Sequence, residues 1–179
     1  GQFMGAAGAA TREKMMGLLA GLSIAMVMDD TDALIAFAKK DAAASDGPIG
    51  CVGYCMSGQF AINAAARHPD RVRAAASIYG VSLVTDRPDS PHLAPRKTDA
   101  RLYFGCAETD RYAPLEMVER LRSELQGSDA NAEVELYPGV EHGFAFPQRP
   151  AYDRAAAERH WERLFALFAA TLARKQSAP

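Results

Sequence analysis

A chain of 179 residues, 49% of them hydrophobic, is long enough to bury one sizeable core, so a single globular domain over residues 1–179 is expected. A formal net charge of -2 leaves no excess of Lys and Arg to neutralise a phosphate backbone, which argues against nucleic acid as a partner. The three cysteines, with Cys51 and Cys55 in one apolar run, do not form a secreted disulfide framework. No stretch reaches the roughly 18 apolar residues that cross a bilayer, and the start lacks the pattern of a signal peptide, so a soluble cytoplasmic protein without a membrane partner is expected.

Gly1 to Ala10 are mostly Gly and Ala and predict a flexible end. Residues 11–44 predict a helical lead-in. Thr11 is a candidate N-cap, Met15, Met16, Leu18, Leu19, Leu22 and Ile24 form an apolar face, and a restart or continuation is expected at Asp29 to Thr31. Ile49 to Tyr54 is a short apolar run bounded by glycine and predicts a buried strand. Gln59 to His68 then predicts a helix, Val72 to Tyr79 a strand, Val81 to Thr98 a loop and Arg101 to Gly105 a strand. Leu115 to Gln126 predicts an amphipathic helix, Glu133 to Tyr137 the last strand, and Tyr152 to about Arg174 a long closing helix. Alternating strands and helices predict an α/β fold, a parallel sheet flanked by helices, with ligands outside the carboxyl ends of the strands.

Gly53-Tyr54-Cys55-Met56-Ser57-Gly58 follows a strand and opens a helix, the setting of a nucleophile elbow. Such a turn is sharp, so small residues are needed on both sides of the nucleophile; Ser57 stands where glycine is usual but is still small. A thiol there lies at a helix N-terminus, where the dipole favours the thiolate. A cysteine in an apolar run is commonly a structural core residue, and the strand-elbow-helix setting is what favours Cys55 as a nucleophile.

A thiolate needs a base, and the base needs an orienting acid. Asp110 follows the third strand and, by itself, is equally well a turn residue; Glu108 is a rival acid two positions earlier. His142 follows the last strand beside Gly143, and a lone loop histidine is commonly just exposed. Cys55, Asp110 and His142 nevertheless fall at successive strand ends in the order nucleophile, acid, base. His68, His92 and His160 are expected in structural or surface roles. No Cys, His and carboxylate set has metal-ligand spacing and no glycine-rich phosphate loop is present, so neither metal nor cofactor is expected.

G-Y-C-M-S-G at Gly53 to Gly58, the stretch from Asp110 to Pro114, H-G-F at His142 to Phe144 and R-P-A-Y at Arg149 to Tyr152 together resemble the dienelactone hydrolase family, α/β-hydrolases with a cysteine nucleophile. The resemblance runs over most of the chain from about Met15. It implies hydrolysis of a small lactone or ester through an acyl-cysteine, with the Met56 N–H as one oxyanion donor. It also makes Tyr54, Arg149 and Tyr152 candidate substrate-binding residues, although Arg149 is equally suited to a surface ion pair. A monomer or homodimer fits this reading. Alternatives are a broader carboxylesterase or thioesterase, a pseudo-hydrolase or interaction module, or a redox-sensing Cys55. The departure from the family is at the front. About four strands are expected before the elbow, yet the residues preceding Cys55 read as helix, so leading strands, a second oxyanion donor and an upstream carboxylate are missing from the pattern.

Overall fold

A computed structural model describes residues 6–172. Four strands, β1 (Ile49–Tyr54), β2 (Val72–Ile78), β3 (Arg101–Thr109) and β4 (Ala132–Glu141), form one sheet in the order β1-β2-β3-β4. Every neighbouring pair is parallel. Between and around them lie α1 (Ala6–Ala20), α2 (Ile24–Ala38), α3 (Gly58–Arg67), α4 (Leu115–Gln126) and α5 (Arg154–Leu172). Parallel strands need crossovers on the sheet faces; α3 lies in the one from β1 to β2 and α4 in the one from β3 to β4, while the β2 to β3 connection holds no α-helix.

Each strand feeds both faces because its side chains alternate. Ala75, Leu102, Phe104 and Cys106 pack with α3 and α4 on one face, while Ala74, Ala76, Tyr103 and Ala107 pack with α5 on the other. The alanines of β2 are fully buried, and their small side chains let helices approach both faces closely. At Gly50 a methyl group would stand 2.7 Å from the Phe168 ring, so its absence seats the C-terminal end of α5 on β1. Three ion pairs tie that helix to β4: Arg159 Nε donates to Glu135 at 3.0 Å, and Arg163 pairs with Glu133 and Glu135.

The leading part differs in detail from the expected pattern. Helix begins by Ala6, inside the stretch expected to be a flexible end, and Gly1 to Gly5 lie outside the described residues. The lead-in is two helices broken at Gly21–Ser23. Ser23 Oγ accepts from Met26 N at 3.2 Å as the N-cap of α2, which seats Ile24 and Met28 on Ala64 of α3. β3 and β4 run past their expected ends to Thr109 and Glu141, and the loop after β2 holds a 3₁₀ turn at Pro91–Lys97. α5 starts at Arg154 rather than Tyr152, and the expected end near Arg174 lies outside the described residues. β1 is an edge strand with Val52 exposed, and no strand pairs with its outer side among the described residues. Nor, among them, is any helix long and apolar enough to cross a membrane.

Candidate active site

The four strands end at Tyr54, Ile78, Thr109 and Glu141, so the next residues, Cys55, Tyr79, Asp110 and His142, share the carboxyl edge of the sheet. The turn after β1 is built for one purpose, to turn the chain sharply under Cys55. Cys55 sits at φ 56, a left-handed conformation that costs a non-glycine residue energy and marks stored strain. A methyl on Gly53 would stand 2.2 Å from the Ser57 carbonyl oxygen, a backbone clash that demands glycine there, while one on Gly58 would have to displace Ser77 Oγ, 2.2 Å away. Ser57 does more than fit. Its hydroxyl accepts from Tyr54 N at 2.8 Å and donates to Tyr54 O at 2.8 Å, clasping the turn around the cysteine.

His142 Nδ1 lies 2.6 Å from Asp110 Oδ2. The other oxygen of that enclosed carboxylate accepts from Tyr112 N at 2.8 Å and Ala113 N at 3.2 Å. Asp110 is thus fixed by backbone amides before it meets the imidazole. Glu108 is otherwise engaged: its Oε2 accepts from Gly139 N at 2.7 Å. With Nδ1 committed to Asp110, Nε2 is the nitrogen left to face Cys55.

The charges follow from this geometry. A hydrogen bond with His142 lowers the Cys55 thiol from its ordinary value; burial opposes this, and the imidazolium charge, the Met56 N–H and the Arg149 guanidinium help lower it. Burial pulls His142 down, but the hydrogen bonds to Asp110 and Cys55 and their charges win, and it is pushed up to about 9. The two shifts run in opposite directions, the thiol towards its thiolate and the imidazole towards its imidazolium, so each charged form favours the other.

Tyr54 forms one wall. Its hydroxyl lies 3.2 Å from His160 Nε2, and its ring meets Tyr79 and Phe146 at 5.8 and 5.1 Å. His160 is fully buried and bonds Ala157 O through Nδ1, which leaves Nε2 as acceptor for Tyr54. The side chain of Arg149 lies over Gly143, where a methyl would stand 3.1 Å from Arg149 Cδ. Among the described residues no carboxylate forms an ion pair with Arg149, contrary to the surface role open to it in the sequence. Tyr152 joins the same segment through its backbone, Tyr152 N donating to Arg149 O at 3.1 Å.

Three residues of this site were not among the candidates read from the sequence, although Tyr112 lies within the Asp110 to Pro114 stretch. Tyr79 and Tyr112 place their rings 5.0 and 4.9 Å from His142, and His160 positions Tyr54 from α5. Tyr79 had one readable signal, its place at the end of the second strand, the same place in its own strand that Cys55, Asp110 and His142 occupy in theirs. No group of His, Cys and carboxylates that could hold a metal ion occurs among the described residues.

The model of the dienelactone hydrolase family matches residues 4–172. A Salmonella typhi protein named as a carboxymethylenebutenolidase is 30% identical over 161 residues, covering 87% of this chain and 58% of that protein. A Bradyrhizobium protein named as a 2-oxo-3-(5-oxofuran-2-ylidene)propanoate lactonase is 26% identical, with 83% and 61% covered. The chain thus spans less than two thirds of either relative's length. Among solved structures, a dienelactone hydrolase of Klebsiella pneumoniae aligns with TM-score 0.76 at 25% identity over 84% of this chain and 63% of that one. A promiscuous phosphotriesterase of dienelactone hydrolase-like fold from metagenomic libraries aligns at TM-score 0.72 and 15% identity, over 96% of this chain and 73% of that one, a likeness of fold alone.

Proposed function

For a chain that belongs to the dienelactone hydrolase family, we propose hydrolysis of a small lactone or carboxylic ester through an acyl-cysteine on Cys55. The observation that carries this reading is the run Cys55, His142 and Asp110, with the imidazole bonded to an enclosed carboxylate at 2.6 Å and the thiol lowered by the imidazole. The Cys55 thiolate attacks the acyl carbon and a carbon–sulfur bond forms. Negative charge moves to the carbonyl oxygen, where the Met56 N–H at the head of the turn is a donor. As the carbonyl re-forms, the bond to the leaving oxygen breaks, and His142 Nε2 gives that oxygen its proton. Neutral His142 then takes a proton from water, whose oxygen adds to the thioester; collapse releases the acid and returns thiolate and imidazolium. Asp110 orients the ring and favours its charged form throughout.

Arg149 and Tyr152 belong to the substrate side of this reading, Arg149 because its charge reaches Cys55. A lactone or ester that carries a carboxylate fits such a site better than a neutral one. The test compares hydrolysis of p-nitrophenyl acetate and of a dienelactone by the wild-type chain and by Cys55→Ala. Turnover by the wild type that Cys55→Ala loses supports the reading, and equal turnover by both proteins overturns it.

A further inference from the structure

Backbone strain in this chain is confined to two turns. Among the described residues the non-glycine positions of positive φ are Cys55 at 56, Tyr79 at 37 and Ser82 at 55, so the elbow is matched by a second costly turn after β2. The acyl-transfer steps give that second turn no task. Strain of this kind persists only where the surroundings impose it, and what surrounds this turn is the elbow itself.

The two turns meet at close quarters. A methyl on Gly58, the first residue of α3, would stand 3.1 Å from Gly80 Cα, and one on Gly80 would stand 2.1 Å from Ser77 Oγ. Ser77 is fully buried, and among the described residues its hydroxyl has no hydrogen-bond partner. It fills the space between the turns as a spacer, while the bare backbones at Gly58 and Gly80 allow the approach. On one side of the turn Tyr79 N donates to Gly105 O at 2.7 Å, and on the other Leu83 is fully buried. Between these anchors Val81 N is brought to the Cys55 carbonyl oxygen, to which it donates at 3.3 Å.

That oxygen also accepts from Gly58 N, so two amides hold it. A peptide unit is planar and trans, so the Cys55 carbonyl and the Met56 N–H form one rigid group and point in opposite directions. Fixing the carbonyl therefore fixes the N–H. A carbonyl that accepts a hydrogen bond also makes the N–H of its own peptide a stronger donor, because bonds in a chain polarise one another.

We propose that Val81 is a positioning residue: its N–H, held on the Cys55 carbonyl by the strained turn at 79–82, aims and polarises the Cys55–Met56 peptide whose N–H receives the oxyanion. The proposal rests on the ester-hydrolase reading and adds to it a buttress from the end of β2. One oxyanion donor contributes about a hundredfold to a thousandfold in rate, and polarisation supplies about 10–30% of a bond's strength, so losing the Val81 donor should cost about twofold to eightfold.

The variant that removes only this donor carries the α-hydroxy acid analogue of valine at position 81, a backbone ester in place of the amide. Its kcat/KM on p-nitrophenyl acetate is expected to fall by that factor, while iodoacetamide alkylates the fully ionised thiol at alkaline pH at the wild-type rate. Alkylation develops no oxyanion, whereas a general displacement of Cys55 would slow both reactions. An equal loss in both, or an unaltered kcat/KM, overturns the proposal. NMR reads the peptide directly: the Cys55 carbonyl carbon and the Met56 amide nitrogen are expected to move upfield, and unmoved resonances overturn the proposal with or without turnover. Absence of turnover in the wild type strikes the hydrolase reading instead. Should the backbone ester fail to fold, Gly80→Ala decides: its methyl meets Ser77 Oγ and should push the turn off the elbow, with the same loss on the ester alone. Adding Ser77→Ala removes the obstructing atom and should restore kcat/KM; a double variant no better than Gly80→Ala overturns the proposal.

Discussion

Replacing Asp110 by asparagine isolates what the buried carboxylate contributes to the pair it serves. Asparagine has the same shape, and its Oδ1 still accepts from Tyr112 N and Ala113 N, so the turn after β3 keeps its anchor. What is lost is one charge-assisted hydrogen bond, the 2.6 Å contact to His142, made by a side chain with no solvent exposure. Such a bond contributes about 1.5–3 kcal/mol, and one pKa unit corresponds to about 1.4 kcal/mol, so His142 should fall by about one to two units. From about 9 this places it at about 7 to 8. The thiol should move the other way, because a less charged imidazole lowers it less. The assay is NMR titration of the His142 ring together with the pH profile of Cys55 alkylation by iodoacetamide. The expected result is an imidazole that loses its proton near neutrality and slower alkylation at mildly acidic pH. A His142 still titrating near 9 in Asp110→Asn, with an unaltered alkylation profile, would refute the assignment of this shift to the carboxylate.

The remaining predictions concern the turn and the ion pair. Gly53→Ala forces a methyl to within 2.2 Å of the Ser57 carbonyl; overpacking of about 1–3 kcal/mol should lower the thermal midpoint by several degrees and slow Cys55 alkylation. Ser57→Ala removes both bonds to Tyr54, and denaturant unfolding should show a loss of about 1 kcal/mol; an unchanged midpoint would deny the clasp its role. Cys55→Ala should lower His142 from about 9, since the thiolate favours the imidazolium, and NMR titration reads this directly. The same variant should alter stability against pH. A raised His142 stabilises the fold below its ordinary value of 6.5, a contribution lost as pH rises towards 9; a lowered Cys55 stabilises it at high pH, a contribution lost as pH falls. Where these windows overlap the slopes oppose each other, so the thermal midpoint of Cys55→Ala should fall more steeply with rising pH than that of the wild type.

How far the sequence reveals this molecule depends on the range of the forces involved. The elbow was legible because strand, glycine and helix lie within ten residues of Cys55 and local sterics govern them. Strand-end positions made Asp110 and His142 visible as candidates, but the choice between Asp110 and Glu108 turned on where Gly139 N lies, a contact spanning 31 residues. The break between α1 and α2 was hidden for a similar reason. Apolar residues continue across Gly21–Ser23, and only the docking of Ile24 and Met28 on Ala64 fixes the start of α2. Tyr79 was hidden most completely. In sequence it ends an apolar run, while its meaning lies in a positive φ that opens the turn towards the elbow, and this leaves no periodic trace. The sequence left His160 open to a structural or a surface role, and its burial behind Tyr54 fits the structural one.

Mass spectrometry of the chain quenched during turnover of p-nitrophenyl acetate tests the acyl-cysteine most directly. The account predicts one acetyl group on the peptide containing Cys55, absent after Cys55→Ala and slow to clear when His142 is replaced by alanine. Continued turnover with Cys55 unmodified, or the acetyl group on another residue, would contradict it.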